Sequence, residues 1–172
     1  FGQRDLRRRG AADVERAALA VLGARALVLR TAWVYGPHGK NFVHTMLRLM
    51  RERGSVRVVA DQIGCPTATA SIAEVLWRFG RHPGLSGVYH WCDAGVASWY
   101  DFAVAIAEEA TVRGLLAGVV EVMPIATEDY PTPARRPRFS LLDSRRTAVA
   151  LAIRPLHWRV RLRQVLDEMT HG

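Results

Sequence analysis

The sequence predicts an α/β fold, and three observations support this prediction. Segments of helix-favouring residues alternate with short runs of β-branched and aromatic residues. The composition of the 172 residues, 49% hydrophobic and 23% charged, is typical of a folded domain and excludes a disordered or coiled-coil chain. The longest apolar stretch, Ala24 to Val34, is interrupted by two arginines and is much shorter than the roughly 20 residues that cross a bilayer. We therefore predict one domain over residues 1–172 and no membrane partner.

The first part of the chain predicts two helices and two strands. Ala11 to Leu22 is rich in alanine and precedes Gly23, a residue type that often ends helices. Arg25 to Tyr35 is rich in β-branched and aromatic residues and predicts one buried strand. Asn41 predicts the start of a helix with one broad apolar stripe, and Ser55 to Val59 predicts a short strand.

Two further helix starts are marked by capping boxes, in which a side-chain oxygen is followed three residues later by an acid. Ser71 with Glu74 marks the first, and Ser98 with Asp101 marks the second. Such pairs satisfy backbone N–H groups that the first helical turn leaves without partners. We therefore expect helices to begin at Ser71 and Ser98.

The remaining elements are two strands, a loop and a terminal helix. Gly87 to Trp91 and Gly118 to Val122 predict strands. Pro124 to Pro137 contains too many prolines for regular structure and predicts a loop. Trp158 to Met169 carries apolar residues three and four positions apart and predicts an amphipathic helix.

The charge of the chain is strongly positive, with a formal net charge of +8 at pH 7. Lys40 is the only lysine among the 24 lysine and arginine residues, so arginine accounts for almost all of the excess. A general preference of the source for arginine over lysine explains this bias at least as well as a polyanion partner does. We expect no nucleic-acid partner, and a basic nucleic-acid-binding domain remains the second alternative.

The chain contains two cysteines, Cys65 and Cys92, far apart in the sequence and outside any CxxC pair. A disulfide framework and a structural zinc site are therefore not expected. This cysteine usage fits a reducing compartment and predicts a cytoplasmic protein.

Motifs of common catalytic and cofactor sites are absent from the sequence. It has no GxGxxG dinucleotide loop, no GxSxG nucleophile elbow and no HExxH metal motif. Gly36 to Asn41 resembles a P-loop only superficially, because too few residues precede its Gly-Lys pair. We predict no metal site and no cofactor-binding residue from these patterns.

The segment from Tyr130 to Pro137 combines an aromatic side chain, three prolines and the adjacent Arg135 and Arg136. Proline keeps such a loop open at low entropic cost, arginine presents a planar fork to phosphate, and an aromatic ring stacks on a base or sugar. This pattern predicts either a nucleotide-diphosphate clamp or a rigid surface loop with solvated arginines.

Six blocks of this sequence form a recognisable series: Arg30 to Gly36, Asn41 to Leu49, Asp61 to Thr67, Gly87 to His90, Ser98 to Phe102 and Tyr130 to Pro137. In their order and approximate spacing they resemble the dTDP-4-dehydrorhamnose reductases, which are extended short-chain dehydrogenases. The resemblance covers residues 15–172, and residues 1–14 match poorly. The resemblance implies that the chain is the C-terminal part of a Rossmann-type enzyme, with its sugar-nucleotide-binding subdomain.

Members of that family reduce the 4-keto group of dTDP-4-dehydro-6-deoxy-L-mannose with NADPH or NADH and produce dTDP-L-rhamnose for cell-surface polysaccharide. By this resemblance the indole of Trp33 packs on the deoxysugar, and the two arginines of the proline-rich loop contact the diphosphate. The same resemblance is compatible with a homodimer of the intact protein. The substrate-binding residues that it implies are Trp33, Asn41, Phe42, Gln62, Thr67, Tyr130, Arg135 and Arg136.

The sequence departs from the family at the residues that carry catalysis. Reduction requires a Tyr-xxx-Lys pair, in which lysine lowers the pKa of the tyrosine that protonates the carbonyl oxygen. No tyrosine in this chain has a lysine four residues later. We therefore assign no catalytic residue and expect a truncated, inactive fragment. The first alternative is a non-catalytic sugar-nucleotide-binding or regulatory subunit of the same fold.

Overall fold

The computed structural model describes residues 3–132 and 136–171. Within these ranges no helix combines the length and the apolar character needed to span a membrane. The helices are α1 (Gln3–Leu22), α2 (Phe42–Arg53), α3 (Thr69–Gly80), α4 (Trp99–Val112), α5 (Arg145–Ala150) and α6 (Trp158–His171). The strands are β1 (Leu27–Arg30), β2 (Val34–Tyr35), β3 (Ser55–Val59), β4 (Ile63–Gly64), β5 (Thr67–Ala68), β6 (Gly87–His90), β7 (Ala97–Ser98) and β8 (Glu121–Ile125).

The described strands associate in pairs, and most of these pairs are parallel. The longest pairs are β1 with β6 and β3 with β8, and β2 pairs with β5 in the same parallel sense. Only the short β4 and β7 run antiparallel. Parallel pairs need crossover connections, and helices α2, α3 and α4 lie within the intervening segments. The predicted α/β class is therefore confirmed.

Two hydrophobic cores hold these elements together. The larger core packs α2, α4 and α6 against β3, and its centre is Phe102, whose side chain is fully buried. The smaller core lies between α3, β6 and α5 and is centred on Val75, Tyr89 and Leu151. Helices α2 and α6 each bury the apolar stripe that the periodicity of the sequence predicts.

The predicted strand from Arg25 to Tyr35 is two strands. Trp33 adopts a positive φ of 50°, which L-residues with large side chains rarely adopt, and this residue ends the extended run between β1 and β2. The break lets β2 pair with β5 while β1 pairs with β6. Composition shows β propensity along the whole segment but does not locate such a break.

One capping box is confirmed and the other is wrong. Ser98 accepts the N–H of Asp101, and the Asp101 carboxylate accepts the N–H and the hydroxyl of Ser98. Helix α3 instead begins at Thr69, two residues before the predicted start. The Ser71 hydroxyl is buried and accepts the indole N–H of Trp91. This tertiary contact with Trp91 holds the Ser71 side chain inside the core.

The terminal strand β8 begins three residues later than the expected start, Gly118, and includes Pro124. Pro124 lies opposite Val58 in the parallel pair with β3, the single partner of β8 among the described residues. A proline is tolerated there because the outer side of an edge strand needs no N–H donor.

A buried carboxylate on α4 connects this helix to α6. The Glu109 side chain is 11% exposed and accepts hydrogen bonds from Arg113 at 2.9 Å, Arg163 at 2.8 Å and Arg159 at 3.2 Å. Burial alone would raise the pKa of Glu109, but the hydrogen bonds from the three guanidinium groups outweigh it and lower the pKa. A carboxyl group with a lowered pKa in the folded state stabilises the protein above its unfolded-state pKa.

We expect Glu109→Gln to lower the free energy of unfolding by about 1–2 kcal/mol near pH 7, because three guanidinium groups each lose one anionic partner. Solvent around Arg159 and Arg163 keeps the loss at this modest level. As pH falls through the lowered pKa of Glu109, the wild type loses the same stabilisation, so the two proteins should differ less at acid pH than at pH 7.

Urea denaturation of both proteins at pH 7 and at acid pH measures this convergence. Glu108→Gln is the matched control, because Glu108 is half exposed and contacts Arg159 alone among these arginines. A stability difference for Glu109→Gln that does not change with pH would show that Glu109 acts through packing and not through charge.

Candidate functional site

Two adjoining cavities form one continuous cleft. The larger has a volume of about 660 Å³ and lies between α2, β3, β8 and the segment that follows β8. The smaller has a volume of about 390 Å³ and lies beside Trp33. Gln62, Trp99 and Arg136 line both cavities. We call these two cavities together the cleft.

Three aromatic side chains form an apolar wall of the cleft. The rings of Trp33 and Trp99 are stacked, with centroids 3.6 Å apart and an interplanar angle of 7°. Phe42 packs against Trp99, with ring centroids 4.7 Å apart and an interplanar angle of 48°. Trp33 lines the smaller cavity, Phe42 lines the larger, and Trp99 lies where the two meet. This wall offers flat apolar faces to a ligand.

The position of Trp33 depends on its backbone and on Gly64. The Trp33 carbonyl accepts the N–H of Thr67 at 3.1 Å, which holds the residue in its strained conformation. A Cβ on Gly64 would lie 2.4 Å from Cε2 of the Trp33 ring, far inside van der Waals contact. Only glycine at this position therefore lets the indole reach the stack on Trp99.

Hydrogen bonds between polar side chains hold Gln62, which lines both cavities, in place. Gln62 is 6% exposed, and its Nε2 donates to the hydroxyl of Thr127 at 3.1 Å. That hydroxyl donates to Asp61 at 2.6 Å, and the Thr127 N–H donates to the same carboxylate oxygen at 2.9 Å. The hydrogen bond from the Thr127 hydroxyl is the main cause that lowers the pKa of Asp61. This network ties β4 and its preceding loop to the segment after β8.

The rim of the larger cavity carries more positive than negative charge. Arg53, Arg57 and Arg136 line it, with Asp129 as the acidic lining residue. Tyr130 also lines this cavity and is 58% exposed. The predicted contact Arg135 lies outside the described residues. A guanidinium-rich rim next to an apolar wall suits a ligand that joins an anionic group to a flat ring.

Two of the predicted contact residues have structural roles and do not line the cleft. Asn41 caps α2: its Oδ1 accepts the N–H of His44 at 3.2 Å, and its Nδ2 donates to the Gly36 carbonyl at 2.9 Å. Thr67 is fully buried, and its hydroxyl donates to the Cys65 carbonyl at 3.3 Å. In this arrangement the Thr67 N–H donates to the Trp33 carbonyl, and a direct contact between Thr67 and a ligand stays a prediction.

Sequence reasoning missed several residues of the cleft. Trp99 belongs to a block that resembles the family, but the sequence pattern assigns no role to it. Arg57 stands singly, and Arg53 belongs to the charged run that ends a predicted helix, so both resemble ordinary surface arginines. Met123 and Ile125 on β8 complete the apolar floor. These residues can be recognised as a group only from the structure, in which all of them line the larger cavity.

A nicotinamide dinucleotide does not fit the residues that the structure describes. Such a cofactor needs a glycine-rich turn at a helix N-terminus, where free backbone N–H groups meet the pyrophosphate. Before α2, the glycine-containing turn is occupied by the Asn41 side chain, which bonds the Gly36 carbonyl and the helix N-terminus. Within residues 3–132 and 136–171 we also find no cluster of His, Cys, Asp or Glu suited to a metal ion.

Comparison with known proteins places this geometry in a family. Residues 7–171 match the RmlD substrate binding domain. The chain is 41% identical over 152 residues to a dTDP-4-dehydrorhamnose reductase of Aggregatibacter actinomycetemcomitans, covering 86% of this chain and 52% of that protein. It is 43% identical over 141 residues to the spore coat polysaccharide biosynthesis protein SpsK of Bacillus subtilis, covering 82% of this chain and 47% of that protein.

A solved structure agrees with the sequence comparison. The dTDP-4-dehydrorhamnose reductase of Bacillus anthracis, in complex with NADP, superposes with a TM-score of 0.74 at 35% identity. The match covers 83% of this chain and 48% of that one, so the chain spans about half the length of the relatives it matches. The fold is that of the Rossmann-type extended short-chain dehydrogenases, and the chain belongs to the RmlD substrate binding domain family.

Proposed function

We propose that the chain binds a dTDP-linked 4-keto-6-deoxysugar in the cleft, as the substrate-binding part of a dTDP-4-dehydrorhamnose reductase. The observation that carries this proposal is the continuity of the cleft from the stacked Trp33 and Trp99 to the guanidinium group of Arg136. A nucleoside-diphosphate sugar has the same order of parts, with an apolar deoxysugar, an anionic diphosphate and a flat base.

Each part of such a ligand has a matching region of the cleft. The smaller cavity beside the indole of Trp33 accepts the deoxysugar, whose 6-methyl group favours an apolar face. Arg136 lines both cavities and bonds the diphosphate with its planar fork. The contact predicted for Arg135 rests on the sequence alone, because this residue lies outside the described ranges. The larger cavity accepts the thymidine between Phe42 and Tyr130, and its 660 Å³ lies within the range of small-molecule sites.

Binding is the part of the reaction that these residues perform. When bound to an intact reductase, NADPH or NADH supplies the hydride that reduces the 4-keto group. A proton donor of the Tyr-xxx-Lys type is absent from this sequence, and the cleft residues orient the sugar and shield it from water. We therefore propose that this chain alone binds the sugar nucleotide without reducing it.

Isothermal titration calorimetry with dTDP-L-rhamnose tests the proposal, with dTDP and free L-rhamnose as matched ligands. We expect saturable binding of dTDP-L-rhamnose, weaker binding of dTDP by about tenfold or more, and no measurable binding of rhamnose alone. Circular dichroism on the same sample establishes that the chain is folded. A folded chain that binds none of the three ligands, or binds dTDP and dTDP-L-rhamnose equally, would contradict the assignment of the smaller cavity to the sugar.

A further inference from the structure

Helix α3 has an apolar face that is exposed on the surface of the chain. The opposite face of the helix is buried in the smaller core through Val75 and Phe79. A helix that is apolar on both faces is normally buried on both. The exposed face consists of four residues without polar side chains, at the spacing i, i+3, i+4 and i+7: Ala73, Leu76, Trp77 and Gly80. We call these four residues the α3 stripe.

Two large side chains give the α3 stripe most of its area. Trp77 is 74% exposed and Leu76 is 49% exposed. The charged neighbours on the same helix, Glu74 and Arg78, form an ion pair with each other at 3.2 Å beside the stripe. The stripe therefore has an apolar centre with charges at its edge, which is the usual composition of an interface between proteins.

Gly80 has no explanation within the described chain. Its backbone is helical, and a Cβ built on it would have no described atom within 4 Å. Glycine in a helix lowers stability relative to alanine, because it loses more backbone freedom on folding. A glycine that neither turns the chain nor makes room for a neighbouring residue is suited to the close approach of a surface from outside the chain.

The α3 stripe is symmetric about its own midpoint, between Leu76 and Trp77. A large residue lies on each side of this midpoint, and a small residue lies at each end. Two copies of α3 that pack antiparallel about a twofold axis through the midpoint place Leu76 of one copy against Trp77 of the other. The same arrangement places Ala73 against Gly80, where small side chains let the two helix axes approach closely.

The charges beside the stripe fit the same arrangement. Glu74 and Arg81 are exposed and seven residues apart, so they lie on one flank of the stripe. Antiparallel helices bring identical flanks together, so Glu74 of each copy lies near Arg81 of the second copy. Glu74 is oriented by its ion pairs with Arg78 at 3.2 Å and with Arg161 at 3.1 Å. Opposite charges therefore meet at both ends of the contact.

We propose that the chain forms a homodimer in which two copies of α3 pack antiparallel through the α3 stripe. Four residues cover at most a few hundred Å² per copy, less than the about 800 Å² per partner of a standard interface, so the dimer is weak. Helix α3, which the structure describes in full, contributes no residue to the cleft. The dimer therefore does not depend on the ligand assigned to the cleft.

Sedimentation equilibrium between about 1 and 500 μM protein tests the proposal, in about 0.15 M salt to screen the repulsion between two positively charged copies. We expect a Kd of about 10–100 μM. Gly80→Leu fills the open space at the stripe and should weaken the dimer at least about tenfold. Gly118→Leu is the matched control, because Gly118 has equally open space in the loop before β8. A chain that is monomeric throughout, or a dimer that Gly80→Leu leaves unchanged, would overturn the proposal.

Cysteine cross-linking tests the antiparallel arrangement. An equimolar mixture of Ala73→Cys and Gly80→Cys should form a disulfide-linked dimer on mild oxidation, because these positions face each other across the twofold axis. Either variant alone should not, since each position lies roughly 10 Å along the helix from its own copy in the dimer. The wild type, whose Cys65 and Cys92 are buried, is the control, and circular dichroism checks that the variants are folded. No linked dimer from the mixture, or equal linkage by either variant alone, would overturn this arrangement.

Discussion

Phe102→Ala should lower the free energy of unfolding by about 3–5 kcal/mol, a large share of the stability of a typical domain. Phe102 is fully buried, and its ring contacts those of Tyr35, Phe42 and Trp158, with centroids 5.1, 5.4 and 5.7 Å away. Truncation leaves a cavity at the point where α2, α4 and α6 meet, and three aromatic rings lose a partner. Because one of these rings belongs to Phe42, the damage should extend to the cleft.

Urea denaturation followed by circular dichroism measures this loss. Phe139→Ala is the matched control, because Phe139 is 66% exposed and the same truncation there should cost less than about 0.5 kcal/mol. Phe102→Leu restores most of the volume and should recover more than half of the loss. A Phe102→Ala variant that is destabilised no more than Phe139→Ala would show that Phe102 is not the centre of the core.

Trp33→Ala should weaken the binding of dTDP-L-rhamnose by at least about 30-fold, because a buried aromatic residue at the centre of a site contributes about 2 kcal/mol or more. The substitution removes the face assigned to the deoxysugar and also the stack on Trp99. Binding of dTDP, which lacks the sugar, should change by less than about threefold. Calorimetry with the two ligands measures this difference.

Gly64→Ala provides a second and independent perturbation of the same side chain. Its added methyl group would overlap the Trp33 ring, so the indole must leave the stack while remaining in the chain. We expect a weaker affinity for dTDP-L-rhamnose and a smaller near-ultraviolet circular dichroism signal from the tryptophan pair. Trp77→Ala is the control, because Trp77 is 74% exposed and lies outside the cleft. Unchanged affinity for dTDP-L-rhamnose in both Trp33→Ala and Gly64→Ala would contradict the assignment of the sugar to the smaller cavity.

Local patterns in the sequence predicted many of the regular elements. The α/β class, helix α2 with its Asn41 cap, the capping box at Ser98 and strand β3 depend on residues close together in the chain, and the structure confirms them. The resemblance to the reductases also rests on short blocks of sequence, and the family comparison confirms it. Five residues predicted from those blocks line the cleft: Trp33, Phe42, Gln62, Tyr130 and Arg136. Their contacts with substrate remain predictions.

Features that require distant residues could not be predicted in this way. The antiparallel pair β4–β7 and helix α5 are too short to produce a periodic pattern. Thr67 belongs to a matching block, but its hydroxyl is used inside the fold. Helix α3 begins at Thr69 and not at Ser71, whose hydroxyl instead accepts the indole N–H of Trp91. In each case a contact between segments outweighs the local preference.

The sequence by itself therefore determined the fold class, the family and most of the helices, because backbone propensity, capping and apolar periodicity act over a few residues. Only the tertiary structure decided that Trp33 breaks a strand to stack on Trp99, and that the Ser71 hydroxyl accepts the indole N–H of Trp91. Both contacts join residues far apart in the chain. The energy of such contacts comes from burial and shape, which no short window of sequence contains.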